Sequence, residues 1–218
     1  MRLPLWLFAC AATAELTGVV LSWHPLQWVA KPLLAPLLLW YLLRTAGRSA
    51  LGWGLVFACA GDVALLVPGT APFLIGMACF LGTQVCFLLA FLRRAPLHRP
   101  AAAGYAVLWA SLNAALWPSL GSLRVPILVY SFALSAMAAA AYAVSRRVAT
   151  GAALFLLSDL LIGLGAADLD FPARDVTVMS TYIAALFLIT TGYVRLFESD
   201  GKVMERRGAG RGVVRPGE

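Results

Sequence analysis

Charge is what this sequence has least of. Of its 218 residues, 12% are Asp, Glu, Lys or Arg, while 61% are hydrophobic, and the mean hydropathy is +0.85. A water-soluble domain of this length carries roughly twice that charged fraction. The composition therefore excludes a soluble globular fold and leaves no room for a second globular domain. Histidine is almost missing: His24 and His98 are the only two, at helix ends or in loops. That excludes a zinc hydrolase built on several imidazoles, and no metal or organic cofactor is expected. The four cysteines (Cys10, Cys59, Cys79, Cys86) fall singly within apolar runs. Without paired spacing they read as small core residues, neither disulfides nor metal ligands. A net charge of +7 suggests nucleic acid, but the placement of the charges excludes that reading. No obligate protein partner is evident.

What is present is a succession of apolar runs. Crossing hydrocarbon takes about 20 apolar residues, and eight such segments occur, near 3–22, 28–44, 49–67, 72–92, 101–118, 125–145, 148–165 and 177–197. The fold class is an all-α membrane bundle of eight helices over 1–197, followed by a disordered basic cytoplasmic tail over 198–218. The first segment runs on well past Cys10 behind a single arginine, so it reads as a span and not as a cleaved leader. Of the 17 Lys and Arg residues, 14 fall on one side of the alternating segments. Lys31, Arg124 and Arg174 alone fall on the other. The positive-inside rule makes the first side cytoplasmic, with both termini inside, as in a bacterial inner membrane. Segments three and seven share a weak internal echo. Each has a glycine eight residues before its aspartate (Gly54, Gly151) and a small residue directly before it (Gly61, Ser158), as a four-plus-four duplication would leave.

Two lone aspartates, Asp62 and Asp159, lie deep in segments three and seven. A carboxylate in hydrocarbon costs several kcal/mol, so a chain that keeps two of them uses them. At about 1.5 Å per residue both lie roughly 8–9 Å below the outer end of their segments. Glu15, Lys31, Asn113, Tyr130 and Tyr182 fall at comparable depth on segments one, two, five, six and eight. Seven segments thus contribute one polar group each to a single layer. A lone Tyr or Asn there needs no function. Three carboxyls facing one lysine are different, because they cannot all ionise cheaply at low dielectric. A protonated acid beside an ionised one suits acid–base hydrolysis.

These residues also carry a likeness. Lys31-Pro32 with Pro36, Gly61-Asp62, Gly76 with Phe80, Tyr130 with Met137, Gly151 through Phe155 to Ser158-Asp159, and Tyr182 resemble the YhhN-like family of membrane proteins. The resemblance runs from segment two to segment eight. It departs from the family pattern at Gln84, where a histidine is usual, at Phe87 for a tyrosine and at Leu186 for a glutamine. An amide holds water or a head group but does not shuttle protons.

The resemblance implies hydrolysis of the vinyl ether of a lysoplasmalogen, a lysophospholipid drawn from the bilayer, to a fatty aldehyde and a glycerophospho-alcohol. Asp62 and Asp159 would be the two carboxyls, one protonating the alkene and the other steadying the cation or activating water, as in glycoside hydrolysis. Lys31, Glu15, Gln84, Asn113, Tyr130, Tyr182 and Ser158 would support them. The alternative is a small proton-coupled transporter using the same carboxylates, although segments three and seven lack the Gly/Pro breaks of transport helices. An intramembrane aspartyl protease fits less well, since Cys59 stands two residues before the Gly61-Asp62 pair and segment eight has no Pro-Ala-Leu run. A structural scaffold is the remaining class.

Overall fold

The computed structural model describes residues 3–166 and 172–211, the last of these by backbone alone beyond Glu198. Eight α-helices follow one another: α1 (Leu3–Val20), α2 (His24–Thr45), α3 (Ala50–Leu65), α4 (Thr70–Leu92), α5 (Arg99–Leu116), α6 (Arg124–Val144), α7 (Arg146–Ala166) and α8 (Arg174–Arg211). There is no strand among the described residues. The chain is an integral membrane protein. Six of the helices are long and apolar enough to cross a bilayer. α3, with 16 residues, is shorter, and α5 falls short in apolar character.

The stops between helices are local chemistry. The Ser49 hydroxyl accepts from the Gly52 amide (3.4 Å) to start α3. His98 Nδ1 accepts from Ala101 N (3.3 Å) to start α5, and Ser145 Oγ accepts from Val148 N (3.2 Å) to start α7. Each satisfies one of the amides that a helix start leaves orphaned. Two stretches differ from the sequence expectation. The break expected between 118 and 125 holds a 3-10 turn, η1 (Trp117–Leu123), bent at Gly121 with φ 49°. The disordered tail expected from 198 is instead a continuation of α8 as far as Arg211. Lys202 to Arg207 are mostly good helix formers, and α8 runs on through Glu198 to Gly201 to reach them. Residues 167–171 of the expected outer loop, and 212–218, lie outside the described residues.

Packing order gives a ring. α2, α3, α4, α6, α7 and α8 each pack on the next, and α8 returns to α2; α1 lies in the crevice between α2 and α8. α5 stands apart: it packs on α6 and on η1, and it flanks α4 without packing closely against it. The ring is filled by Leu38, Leu55, Phe87, Met137, Phe155 and Leu186, all fully buried. Ala138 to Ala141 of α6 are buried as well, and such small residues let helix backbones approach where lipid gives no hydrophobic drive. Outward stand Trp6, Trp53, Val107, Val125 and Phe132, exposed as only a lipid-facing surface leaves them. Neither α3 nor α7 is interrupted along its length.

The two internal prolines of α2 have a counterpart on α3. Pro36 has no N–H, so the carbonyl of Pro32 loses its helical partner. The Cys59 thiol of α3 donates to that carbonyl at 3.4 Å. Cys59 therefore does more than fill space. Cys10, expected in the core, is exposed on α1.

Candidate functional site

The helix ring turns the polar layer into two hydrogen-bonded groups. Asp62, on α3, is 1% exposed and accepts a 2.7 Å hydrogen bond from the Tyr182 hydroxyl of α8. Asp159, on α7, is only partly buried. Its Oδ2 accepts from the Tyr130 hydroxyl of α6 at 2.5 Å and from the Gln84 amide of α4 at 3.2 Å. Each carboxyl is therefore held by a phenol from another helix, and Gln84 fills its place by orienting Asp159.

Between the two groups stands aromatic packing. Phe80 of α4 meets Tyr182 edge-on with centroids 5.8 Å apart and Phe155 at 6.2 Å; Phe155 meets Tyr182 at 5.8 Å. The Phe80 ring also lies over Gly61, where an added Cβ would come within 2.8 Å of it. That contact explains the small residue directly before Asp62: nothing larger leaves space for the ring.

An apolar cavity opens on one side of this aromatic wall. It encloses about 890 Å³ of atom-free space, its open mouth included, between α4, α5, α6 and α7. Asp159, Tyr130 and Asn113 line it, with Phe80, Met77, Leu112, Leu134 and Leu160 among its walls. Asp62, Tyr182, Gln84, Glu15 and Lys31 are not among its lining residues. The single polar layer expected from depth is thus a divided site, with Asp159 in the chamber and Asp62 behind the Phe80 wall. The division is one ring thick, for Phe80 lines the chamber and meets Tyr182, the partner of Asp62, edge-on.

The remaining sequence candidates are distributed as follows. Lys31, half-buried on α2, is close enough for its charge to act on Asp62 and on Glu15. Glu15 is 1% exposed, and neither of its carboxyl oxygens has a hydrogen-bond partner. Asn113 is engaged elsewhere than expected. Its Nδ2 donates to Ser131 Oγ (3.1 Å), to which Trp109 Nε1 also donates (3.1 Å), so it clasps α5 to α6 at the cavity wall. Ser158 Oγ donates to the Val178 carbonyl of α8 at 3.0 Å, a contact that ties α7 to α8. Sequence reasoning did not single out Ser131, Trp109 or the walling role of Phe80. A serine next to Tyr130 carries no signal until the facing helix is known. No cluster of His, Cys, Asp and Glu suited to a metal occurs among the described residues.

Comparison with known proteins follows this geometry. The chain matches the YhhN family over residues 26–193. Proteins named lysoplasmalogenase from Mycobacterium bovis (strain ATCC BAA-935 / AF2122/97) and Mycobacterium tuberculosis (strain CDC 1551 / Oshkosh) are each 36% identical over 154 residues, 64% of this chain and 58% of theirs. A Bos taurus protein named lysoplasmalogenase TMEM86A is 31% identical over 166 residues, 71% of this chain and 69% of its own. This chain thus spans 58% of the length of the mycobacterial relatives it matches. No solved structure matches it.

Proposed function

Because this chain belongs to the YhhN family, we propose that it is a membrane hydrolase cleaving the vinyl ether bond of lysoplasmalogen-like lysophospholipids. The names of its relatives support the reaction class. The single observation that carries the site is Asp159: a carboxyl held by a phenol and an amide, facing an otherwise apolar cavity.

The chemistry needs one proton delivered to carbon. Asp159, as the acid, protonates the outer alkene carbon, leaving an oxocarbenium cation at the carbon bonded to the ether oxygen. Water adds to that cation and gives up a proton. The resulting hemiacetal collapses to a long-chain aldehyde and the glycerophospho-alcohol. Tyr130 and Gln84 aim hydrogen bonds at the Asp159 oxygen that is left charged after the transfer. Asp62, with Lys31 within electrostatic reach, is the second carboxyl. It sits behind Phe80 and receives the proton of the attacking water through Tyr182 or through a water admitted past the ring. The two carboxyls share the work around a cation as in glycoside hydrolysis. The excess of arginine and lysine on one side supports a topology with both termini cytoplasmic, which puts the cavity in the outer half of what we take to be a bacterial inner membrane.

The test is direct. Protein purified in detergent releases long-chain aldehyde from a lyso-alkenyl phospholipid without any ion gradient. A folded, monodisperse preparation that releases none overturns the proposal. Asp62→Asn keeps an acceptor for the Tyr182 hydroxyl and lowers the initial rate about a hundredfold, at the lower end of what a lost general acid or base costs.

A further inference from the structure

Three cations fall on the sparsely charged side of the sequence, and two of them are accounted for. Lys31 acts on Glu15 and Asp62. Arg174 pairs with Asp175 at 3.2 Å. Arg124 remains. Its Nε donates to the Trp117 carbonyl at 2.9 Å, and its guanidinium lies over the Trp117 ring, 5.6 Å from the centroid. Among the described residues no carboxylate lies within ion-pairing distance of it. A planar fork with its remaining N–H groups uncommitted is suited to a phosphate.

Helical register places this arginine over the cavity. Ile127, Ser131 and Ser135 follow it along one stripe of α6, and all three line the chamber. Leu116, the neighbour of Trp117, lines it as well, whereas Arg124 and Trp117 are not among the lining residues, so the guanidinium is held about one turn beyond the lined wall. Tyr130 lies six positions along α6 from Arg124, about 9 Å of rise, and the Tyr130 hydroxyl holds Asp159.

The chamber itself selects for hydrocarbon. Its walls are apolar apart from a few groups near Asp159 and the α5–α6 clasp. Two of the walls, α4 and α5, do not pack closely together, and Asn113 is the one buried residue of α5. An entry between them would draw on the bilayer, the source of single-chain amphiphiles.

We propose that Arg124 is the phosphate-binding residue of this cavity: a single-chain phospholipid inserts its tail sideways between α4 and α5 and rests its phosphate on the guanidinium. Six bonds separate the linkage carbon of such a lipid from its phosphorus, about 7 Å when stretched. With the phosphate on Arg124, the linkage carbon and the alkene carbon beyond it extend toward Asp159. The inference builds on the hydrolase reading but requires binding alone.

Equilibrium binding to the full-length protein in detergent tests it, with palmitoyl lysophosphatidylethanolamine, monopalmitoylglycerol and inorganic phosphate as probes. The lysophospholipid binds wild type about tenfold more tightly than the monoacylglycerol, as one charged hydrogen-bonding contact allows. Inorganic phosphate does not displace it. Arg124→Gln removes the tenfold preference without weakening the monoacylglycerol, and Arg124→Lys restores part of it. Equal affinities in wild type, equal weakening of both lipids by Arg124→Gln, or displacement by free phosphate would each overturn the proposal. The wild-type comparison needs no variant. Preference for the phospholipid without aldehyde release would leave the binding site standing and remove the hydrolase reading.

Discussion

Asp159→Asn abolishes aldehyde release, lowering it by about a thousandfold or more, in a protein that still inserts and folds. The exchange keeps size and an acceptor oxygen for Tyr130, so the α6–α7 contact survives. What goes is the proton: an amide has none to give to an alkene carbon. A lost general acid typically costs about 10²–10⁴-fold. Asp159 belongs in the upper part of that range because it is the carboxyl that lines the cavity, while Asp62 works from behind the ring of Phe80. The measurement is an initial rate on purified variant whose melting temperature in detergent matches wild type. A rate within tenfold of wild type would mean that the cavity carboxyl is not the acid.

The largest stability loss falls at Gly151→Ala. A Cβ at this position would lie 2.9 Å from the Ile189 amide nitrogen and 3.0 Å from the Ala185 carbonyl oxygen of α8. Both are backbone atoms, so relief requires moving α8 itself. Overpacking of this kind costs about 1–3 kcal/mol, occasionally more, and appears as a lowered melting temperature in detergent. Gly104→Ala is the control. Nothing lies within 4 Å of that position on α5, and alanine is the better helix former, so the midpoint holds or rises. An unchanged midpoint for Gly151→Ala would contradict the close approach of α7 and α8. At Gly54, the corresponding position before Asp62, an added Cβ meets the Phe87 ring of α4 at 2.5 Å. Both hairpins thus use a glycine eight residues before the aspartate to bring the next helix in.

Depth was legible in the sequence, and direction around each helix was not. The span expected near 72–92 is α4 (Thr70–Leu92), and that near 49–67 is α3 (Ala50–Leu65), because proline, glycine and arginine end the apolar runs. Counting residues from those ends placed Asp62, Tyr182, Asp159 and Tyr130 in one layer, and the structure joins them in two pairs. Which helix faces which could not be read, since helices apolar on every side carry no stripe to mark an inner face. For the same reason Phe80 gave no sign of standing between the aspartates, and Asn113 gave none of gripping Ser131. The extension of α8 beyond 197 was hidden by a charged composition that suits a helix surface as well as it suits a coil.

α5 packs through α6 and η1 and does not pack closely on α4, which is where the proposed entry lies. Anything that reaches the chamber by that door has travelled within the leaflet, in two dimensions. Its supply is set by its mole fraction among neighbouring lipids, so dilution by other amphiphiles starves the chamber even when the amount per volume of solution stays the same.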